Sequence, residues 1–301
     1  MTPSTRKPFR YGVSLYSFTD DLGTVMGLEE ALAAVADLGA TGIELLGEAH
    51  VPGYPEPDTA WIDHWFRLLE RHRLEPTNFG AWIDTRLHLS RPMTAREAAA
   101  DLSRDIELAA RLGFAYVRPK IGVVSFDLVP DPIWEEAIER CLDLAERRRI
   151  VICPEIHAPT PLRHPVVEAY VRFIERTGSR HFGLLVDTGI FQDRPLPHWP
   201  GETPEMRRDF LNGIAVDPQD FLALAPHVVF IQAKFHHIDE RLQDAHIPWE
   251  RVLPVLKQAG YGGYLSSEYE GDRAPWRSLE QVRRQHALLR QIERRLDAVE
   301  G

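Results

Sequence analysis

The sequence predicts an α/β fold, a closed (β/α)8 TIM barrel, carried by one domain over residues 1–301. Three observations predict it. Short apolar runs alternate eight times with longer segments of helical period, and no composition break interrupts them. The first run leads into "SLYSFTDDLGT", which lacks the GxGxxG turn that an open dinucleotide-binding sheet carries after its first strand. The chain is also long enough for one large core, since single cores stop growing at roughly 250–300 residues.

Each unit can be read in order. "YGVSLYS" (11–17) precedes "LEEALAAVADLG", whose Gly39 is a common helix ending. "TGIELLG" (41–47) precedes "DTAWIDHWFRLLERH", and "LEPTNFGAW" (74–82) precedes "TAREAAADLSRDIELAARLG". "AYVRPKIGV" (115–123) precedes "DPIWEEAIERCLDLAERRR", and "IVICPEIHA" (150–158) precedes "PVVEAYVRFIERTG". "HFGLLVDTGIF" (181–191) leads into a long polar connection and then "DPQDFLALA". "HVVFIQAKF" (227–235) precedes "IPWERVLPVLKQAG". "GGYLSSEYEG" (262–271) precedes "SLEQVRRQHALLRQIERRL", an amphipathic helix that closes the barrel or packs on another subunit.

Composition narrows the partners. There are 45 acidic residues against 35 basic ones, which argues against a nucleic-acid surface. No cationic-then-apolar leader and no bilayer-length apolar stretch is visible, so the expectation is a cytoplasmic protein with no membrane partner. Cys141 and Cys153 lack metal spacing and are expected to be reduced and buried.

A barrel carries its chemistry at the C-terminal ends of its strands. Late strand positions hold Glu155 and His157, then Asp187, then Gln232 and Lys234, then Glu268 and Glu270. Residues two apart share a strand face, so each of these pairs points the same way, while Ile156, Ile231 and Ala233 turn toward the helices. Earlier strands add Glu44, Trp82, Arg118 and Lys120. Carboxylates converging on one mouth repel one another unless a divalent cation holds them. Glu155, Asp187, Gln232 and Glu268 are therefore the candidate metal ligands, and oxygen donors of this kind suit Mn²⁺, with Mg²⁺ or Co²⁺ as alternatives. The competing reading is a structural ion-pair network through Arg118, Lys120 and Lys234.

This ordered set resembles the xylose isomerase-like barrels, a family of sugar isomerases, ketose 3-epimerases and inosose dehydratases, over nearly the whole chain. The resemblance implies a Mn²⁺-type metal held by Glu on strand five, Asp on strand six, His on strand seven and Glu on strand eight. Glu155, Asp187 and Glu268 match; Gln232 stands where His is usual, and an amide cannot act as acid or base. His236 and His237, just beyond, are substitutes if the loop folds back.

The resemblance implies proton abstraction beside a carbonyl, with a metal steadying the enolate oxygen. His157 is the candidate one-sided base, with Lys120 and Glu270 as further catalytic candidates. Lys234, Arg118, Trp82, His236 and Phe191 are the candidate substrate-binding residues. Glu44 is expected to support the barrel rather than react.

The connection at 190–216, "QDRPLPHWPGETPEMRRDFLNGIAVD" with its flanks, is longer than compact domains usually tolerate without a function. It reads as a lid or a subunit contact. Phe191, Trp82, Trp61 and Tyr54 add aromatic surface to the same face, which suits a substrate larger than a small polyol.

One branch of the resembling family, the C-glycoside deglycosidase catalytic subunits, joins a metal-bearing barrel, a His base and an extended lid. It implies a carbon–carbon lyase: a 3-oxo-glucoside loses its C2 proton and then its carbon-linked aglycone, in complex with a small β subunit. The alternatives are an isomerase or epimerase of free or phosphorylated sugars, with Arg273 and Arg277 as phosphate handles, and a silent sugar-binding or scaffold subunit. A repair nuclease of the same fold would need more histidines and a basic face.

Overall fold

The computed structural model describes residues 7–81, 91–119, 131–198, 201–272 and 274–298. Trp82 and Lys120 lie outside the described residues, as do Trp199, Pro200 and Arg273. Among those described, nine short strands form one parallel sheet: β1 (Arg10–Ser14), β2 (Gly42–Leu46), β3 (Glu75–Ala81), β4 (Tyr116–Pro119), β5 (Val151–Ile152), β6 (Glu155–Ile156), β7 (Leu184–Asp187), β8 (Val228–Phe235) and β9 (Tyr264–Tyr269). Their order is β5-β4-β3-β2-β1-β9-β8-β7-β6.

The ends of that order are two pieces of one predicted strand. Pro154 has no N–H to give a ladder, so the run 150–158 breaks there. β5 pairs with β4 and β6 pairs with β7. An additional bridge joins Ile152 to Phe182, which ties both edges to the same stretch and closes the barrel. The predicted sixth strand is also shorter than its apolar run. It stops at Asp187, whose carboxylate accepts the Gly189 N–H at 2.7 Å and starts a tight turn over Thr188–Phe191.

Helices pack outside the sheet in the predicted alternation. Caps set several of their ends. Asp58 accepts the Trp61 N–H ahead of the helix Thr59–His72, and Thr94 with Glu97 forms a reciprocal cap on Ala95–Arg111. The long helix Arg277–Ala298 buries Val282, Leu288, Leu289 and Ile292. No helix among the described residues is long and apolar enough to cross a membrane. Both cysteines are free and buried.

The inside of the barrel is stratified by the two-residue strand period. Cys153, Leu185, Phe230 and Tyr264, with Tyr116 against them, form an apolar floor. Two residues further along the same strands stand Glu155, Asp187, Gln232, Ser266 and Arg118. Two further again stand His157, Lys234 and Glu268. The floor excludes water from below and leaves the polar layers facing the mouth. Gly80 makes room there: a Cβ on it would fall 2.2 Å from the Leu46 side chain and 3.0 Å from the Arg118 guanidinium.

Candidate active site

The mouth holds a cavity of about 440 Å³, within the range of small-molecule sites. Glu155, Asp187 and Glu268 each turn a carboxylate oxygen into one cluster, with all three oxygens within 4.8 Å of one another. They come from three neighbouring strands, β6, β7 and β9 with β8 between, at the depth the alternation sets. Arg118 binds Glu155 at 2.5 Å. Lys234, on β8, places its ammonium 2.7 Å from Asp187, 3.2 Å from Glu270 and 3.5 Å from Glu268.

Burial and these two cations divide the carboxylates. Burial pushes Glu268 up to about 8, against the pull of Lys234, with Glu270 and Glu155 adding to the rise. Asp187 rises to about 7, again through burial against Lys234. Glu155 is also largely withdrawn from water, yet Arg118, helped by His157 and Lys234, outweighs burial and holds it at about 2. Glu270 is held below the ordinary carboxylate range because Lys234 and His236 outweigh its burial. The same carboxylates keep Lys234 firmly protonated despite its burial.

Gln232 stands behind this cluster. Its amide nitrogen donates to Glu44 at 2.7 Å and to Glu268 at 3.0 Å. Its carbonyl oxygen is buried and has no hydrogen-bond partner among the described residues. Three carboxylate oxygens beside a buried, unanswered amide oxygen are a hard donor set, so the residues fit a divalent cation of the Mg²⁺ or Mn²⁺ type rather than a thiolate metal. Glu44 is fully buried, accepts from Ser266 at 3.0 Å, and is raised by burial to about 8 although Arg118 opposes this.

His157 lies on the cavity wall. Its Nδ1 contacts the Ala158 carbonyl. A carbonyl only accepts, so Nδ1 carries the hydrogen and Nε2 keeps its lone pair. Burial lowers the His157 pKa, against the pull of Glu155, so the ring is neutral at pH 7. The Phe210 ring stacks over it, with centroids 6.3 Å apart at 25°.

Arg118, His236 and Glu270 also line the cavity. His236 is lowered to about 4 by burial and uses Nδ1 on the Glu270 carbonyl at 3.1 Å. His237 is exposed beyond the strand. Phe191, expected against substrate, is instead 1% exposed within the core, because the turn after Asp187 carries it away from the mouth. Trp61 stacks on Trp65 in a helix, and Tyr54 bonds Asp105, so neither forms cavity wall. Arg277 is tied to Glu280 and Asp272 rather than presented to a phosphate.

Sequence reasoning missed Tyr16, Leu46, Met206, Phe210 and Leu211, which supply much of the apolar wall. The last three belong to the predicted lid, which is not structureless. A short helix Pro204–Met206 runs into a wide π-turn over Arg207–Leu211. Arg207 ties the segment together through the carbonyls of Leu196 at 2.7 Å and Pro197 at 3.2 Å, and through Glu202. The spacing of Met206 and Phe210, i and i+4, was the available signal.

The chain is 28% identical to a 3'-dehydrocarminate deglycosidase alpha subunit from Microbacterium sp, covering 97% of both chains. It is 26% identical to a C-glycoside deglycosidase alpha subunit from Arthrobacter globiformis, covering 95% of this chain and 93% of the other. Among solved structures, L-ribulose 3-epimerase superposes with a TM-score of 0.68 at 17% identity, covering 97% of this chain and 98% of that one. D-psicose 3-epimerase superposes with a TM-score of 0.65 at 14% identity, covering 94% and 99%. These two show the shared fold. The family profile described as "Xylose isomerase-like TIM barrel" matches residues 32–292, and the chain belongs to that family.

Proposed function

We propose that this protein is the catalytic subunit of a carbon–carbon lyase that removes the aglycone from 3-oxo-C-glycosides. The relatives and structural neighbours are deglycosidases and epimerases by name, and this chain is an enzyme of that sugar-modifying class. The observation that carries the finer reading is a neutral imidazole, His157, beside a buried carboxylate cluster and under an aromatic lid residue. Carbon–carbon elimination needs one base and a proton for the leaving carbon, whereas epimerisation needs matched groups on two faces.

Glu155, Asp187, Gln232 and Glu268 would hold a divalent cation, Mn²⁺ first and Mg²⁺ or Co²⁺ as alternatives, which supplies an electrophile for negative charge on a carbonyl oxygen. His157 takes the C2 proton on Nε2. The C2–H electron pair becomes the C1–C2 double bond, and the C1–aglycone pair leaves with the aglycone carbon. That carbon takes a proton, for which the imidazolium formed at His157 is the donor. Lys234, locked in its charged form, donates to substrate oxygens, and Glu270, held ionised, accepts from hydroxyls. Arg118 keeps Glu155 ionised. Met206, Phe210 and Leu211 cover the aglycone side and exclude water. Lys120 and Trp82 stay candidates for catalysis and substrate contact from outside the described residues. The relatives' designation as alpha subunits supports a small partner subunit.

The test is incubation of the metal-loaded protein with an oxidised C-glucoside in deuterated buffer, with and without a small partner protein. Released aglycone supports the lyase. Deuterium at C2 without release selects the epimerase or isomerase reading, which the 3-epimerase neighbours favour. Neither exchange nor release leaves a silent sugar-binding subunit.

A further inference from the structure

We propose that Glu44 is a positioning residue that selects which end of the Gln232 amide is left for a divalent cation. This rests on the cation reading above and assigns a new role within it. A primary amide has one accepting end and one donating end, and a half-turn about its last bond exchanges them. Something must choose between the two.

The structure contains the chooser. The NH₂ end of Gln232 meets two carboxylate oxygens, Glu44 Oε1 at 2.7 Å and Glu268 Oε1 at 3.0 Å. With the two carboxyl groups ionised, the state in which the mouth takes a cation, the flipped amide would set its carbonyl oxygen against those same two oxygens, acceptor against acceptor. Glu268 alone does not decide the matter, because it belongs to the cluster and is itself a candidate ligand. Glu44 does not belong to it. It comes from β2, 188 residues away in sequence, is fully buried, and has its other oxygen engaged by Ser266 at 3.0 Å. Ser266, Glu44 and Gln232 thus form a fixed chain of donors and acceptors. It ends on an amide oxygen that is buried and unanswered among the described residues. Neighbours that orient a ligand in this way typically change metal affinity about 10–100-fold when removed.

Glu44→Met keeps the length and removes the acceptor; Glu44→Gln keeps an acceptor for the amide. Mn²⁺ alone is the probe, with free Mn²⁺ read by electron paramagnetic resonance and folding checked by circular dichroism. The Mn²⁺ Kd is expected to rise about 10-fold or more in Glu44→Met and to stay within about 3-fold of wild type in Glu44→Gln. Gln232→Leu should lose a similar amount, and adding Glu44→Met to it should cost less than about 2-fold, since the two act through one contact. Should Glu44→Met not fold, Glu44→Leu asks the same question with another apolar shape. A folded Glu44→Met with wild-type Mn²⁺ affinity, or an equal loss in both backgrounds, overturns the proposal alone. A wild-type protein that binds no Mn²⁺ overturns the cation reading and this proposal together.

Discussion

Stripped of divalent cations, the protein should lose stability as pH rises from 7 to 9. Glu44 and Glu268 are both fully buried and both raised to about 8. In the unfolded chain each titrates near the ordinary carboxylate value, so above pH 7 the unfolded state has already lost both protons. The folded state still holds them at pH 7 and releases them through pH 8. The folded state binds more protons over this window, so unfolding becomes easier as pH rises. For a group with a folded pKa of about 8, integrating from pH 7 to 9 costs on the order of 1 kcal/mol, and the pair about 3 kcal/mol. For a domain of this size that is a fall of roughly 4–5 °C in Tm. The window avoids the buried histidines: His50 and His236 are lowered to about 4 by burial, so they matter only as pH falls below their unfolded value.

The assay is a set of thermal melts in chelator across this range, repeated with saturating Mn²⁺. A bound cation takes the place of the protons, so the decline should flatten when Mn²⁺ is present. Glu44→Gln removes one titrating group and should make the slope in chelator shallower. A stripped protein whose Tm is flat or rises between pH 7 and 9 would refute the electrostatic account of the mouth, because burial of those two carboxylates would then carry no cost.

The base, the lid and a buried aspartate give three further outcomes. His157→Ala should reduce C2 deuterium wash-in by about 10²-fold or more while leaving Mn²⁺ affinity within a few-fold, as measured by exchange and by metal titration. Arg207→Ala removes the ties from the lid to Leu196, Pro197 and Glu202, so proteolytic cutting within 193–216 should quicken and KM should rise with kcat less affected. Asp105 is raised to about 6 by burial although it accepts the Tyr54 hydroxyl. Its stabilising contribution is present below its unfolded pKa and lost as pH rises through 6, so Asp105→Asn should be more stable than wild type at pH 8, by up to about 3 kcal/mol, and nearly equal at pH 4 in urea melts.

The barrel and the depth of its polar layers were legible because a strand period of two is a local rule. Tyr116 and Arg118, Cys153 and Glu155, Leu185 and Asp187, and Phe230 and Gln232 each place an apolar floor residue two before a polar one. The broken fifth strand was written in Pro154, but a proline marks only that a ladder bond is missing, not that the halves will serve different neighbours. Phe191 is buried in the core, a placement the sequence does not disclose because apolarity after a strand says nothing about the turn that redirects it. The lid wall was hidden for a related reason: Met206, Phe210 and Leu211 reach the cavity only because Arg207 gathers carbonyls from eleven and ten residues earlier.

The deeper limit concerns charge rather than position. Glu155 and Glu268 are the same residue type, both largely withdrawn from water, with oxygens in one 4.8 Å cluster. One sits at about 2 and the other at about 8. The difference is that Arg118 closes on Glu155 at 2.5 Å, whereas the ammonium near Glu268 stands 3.5 Å away and is shared with Asp187 and Glu270. Coulombic energy at low dielectric falls with distance and is divided when one cation serves three anions. No spacing in the sequence encodes which carboxylate receives its own cation and which must share. That partition decides how much of the mouth's negative charge is left for a divalent ion to neutralise. Arg118, a residue that neither binds the ion nor reacts, therefore belongs to the chemistry of the site as much as the carboxylates it divides.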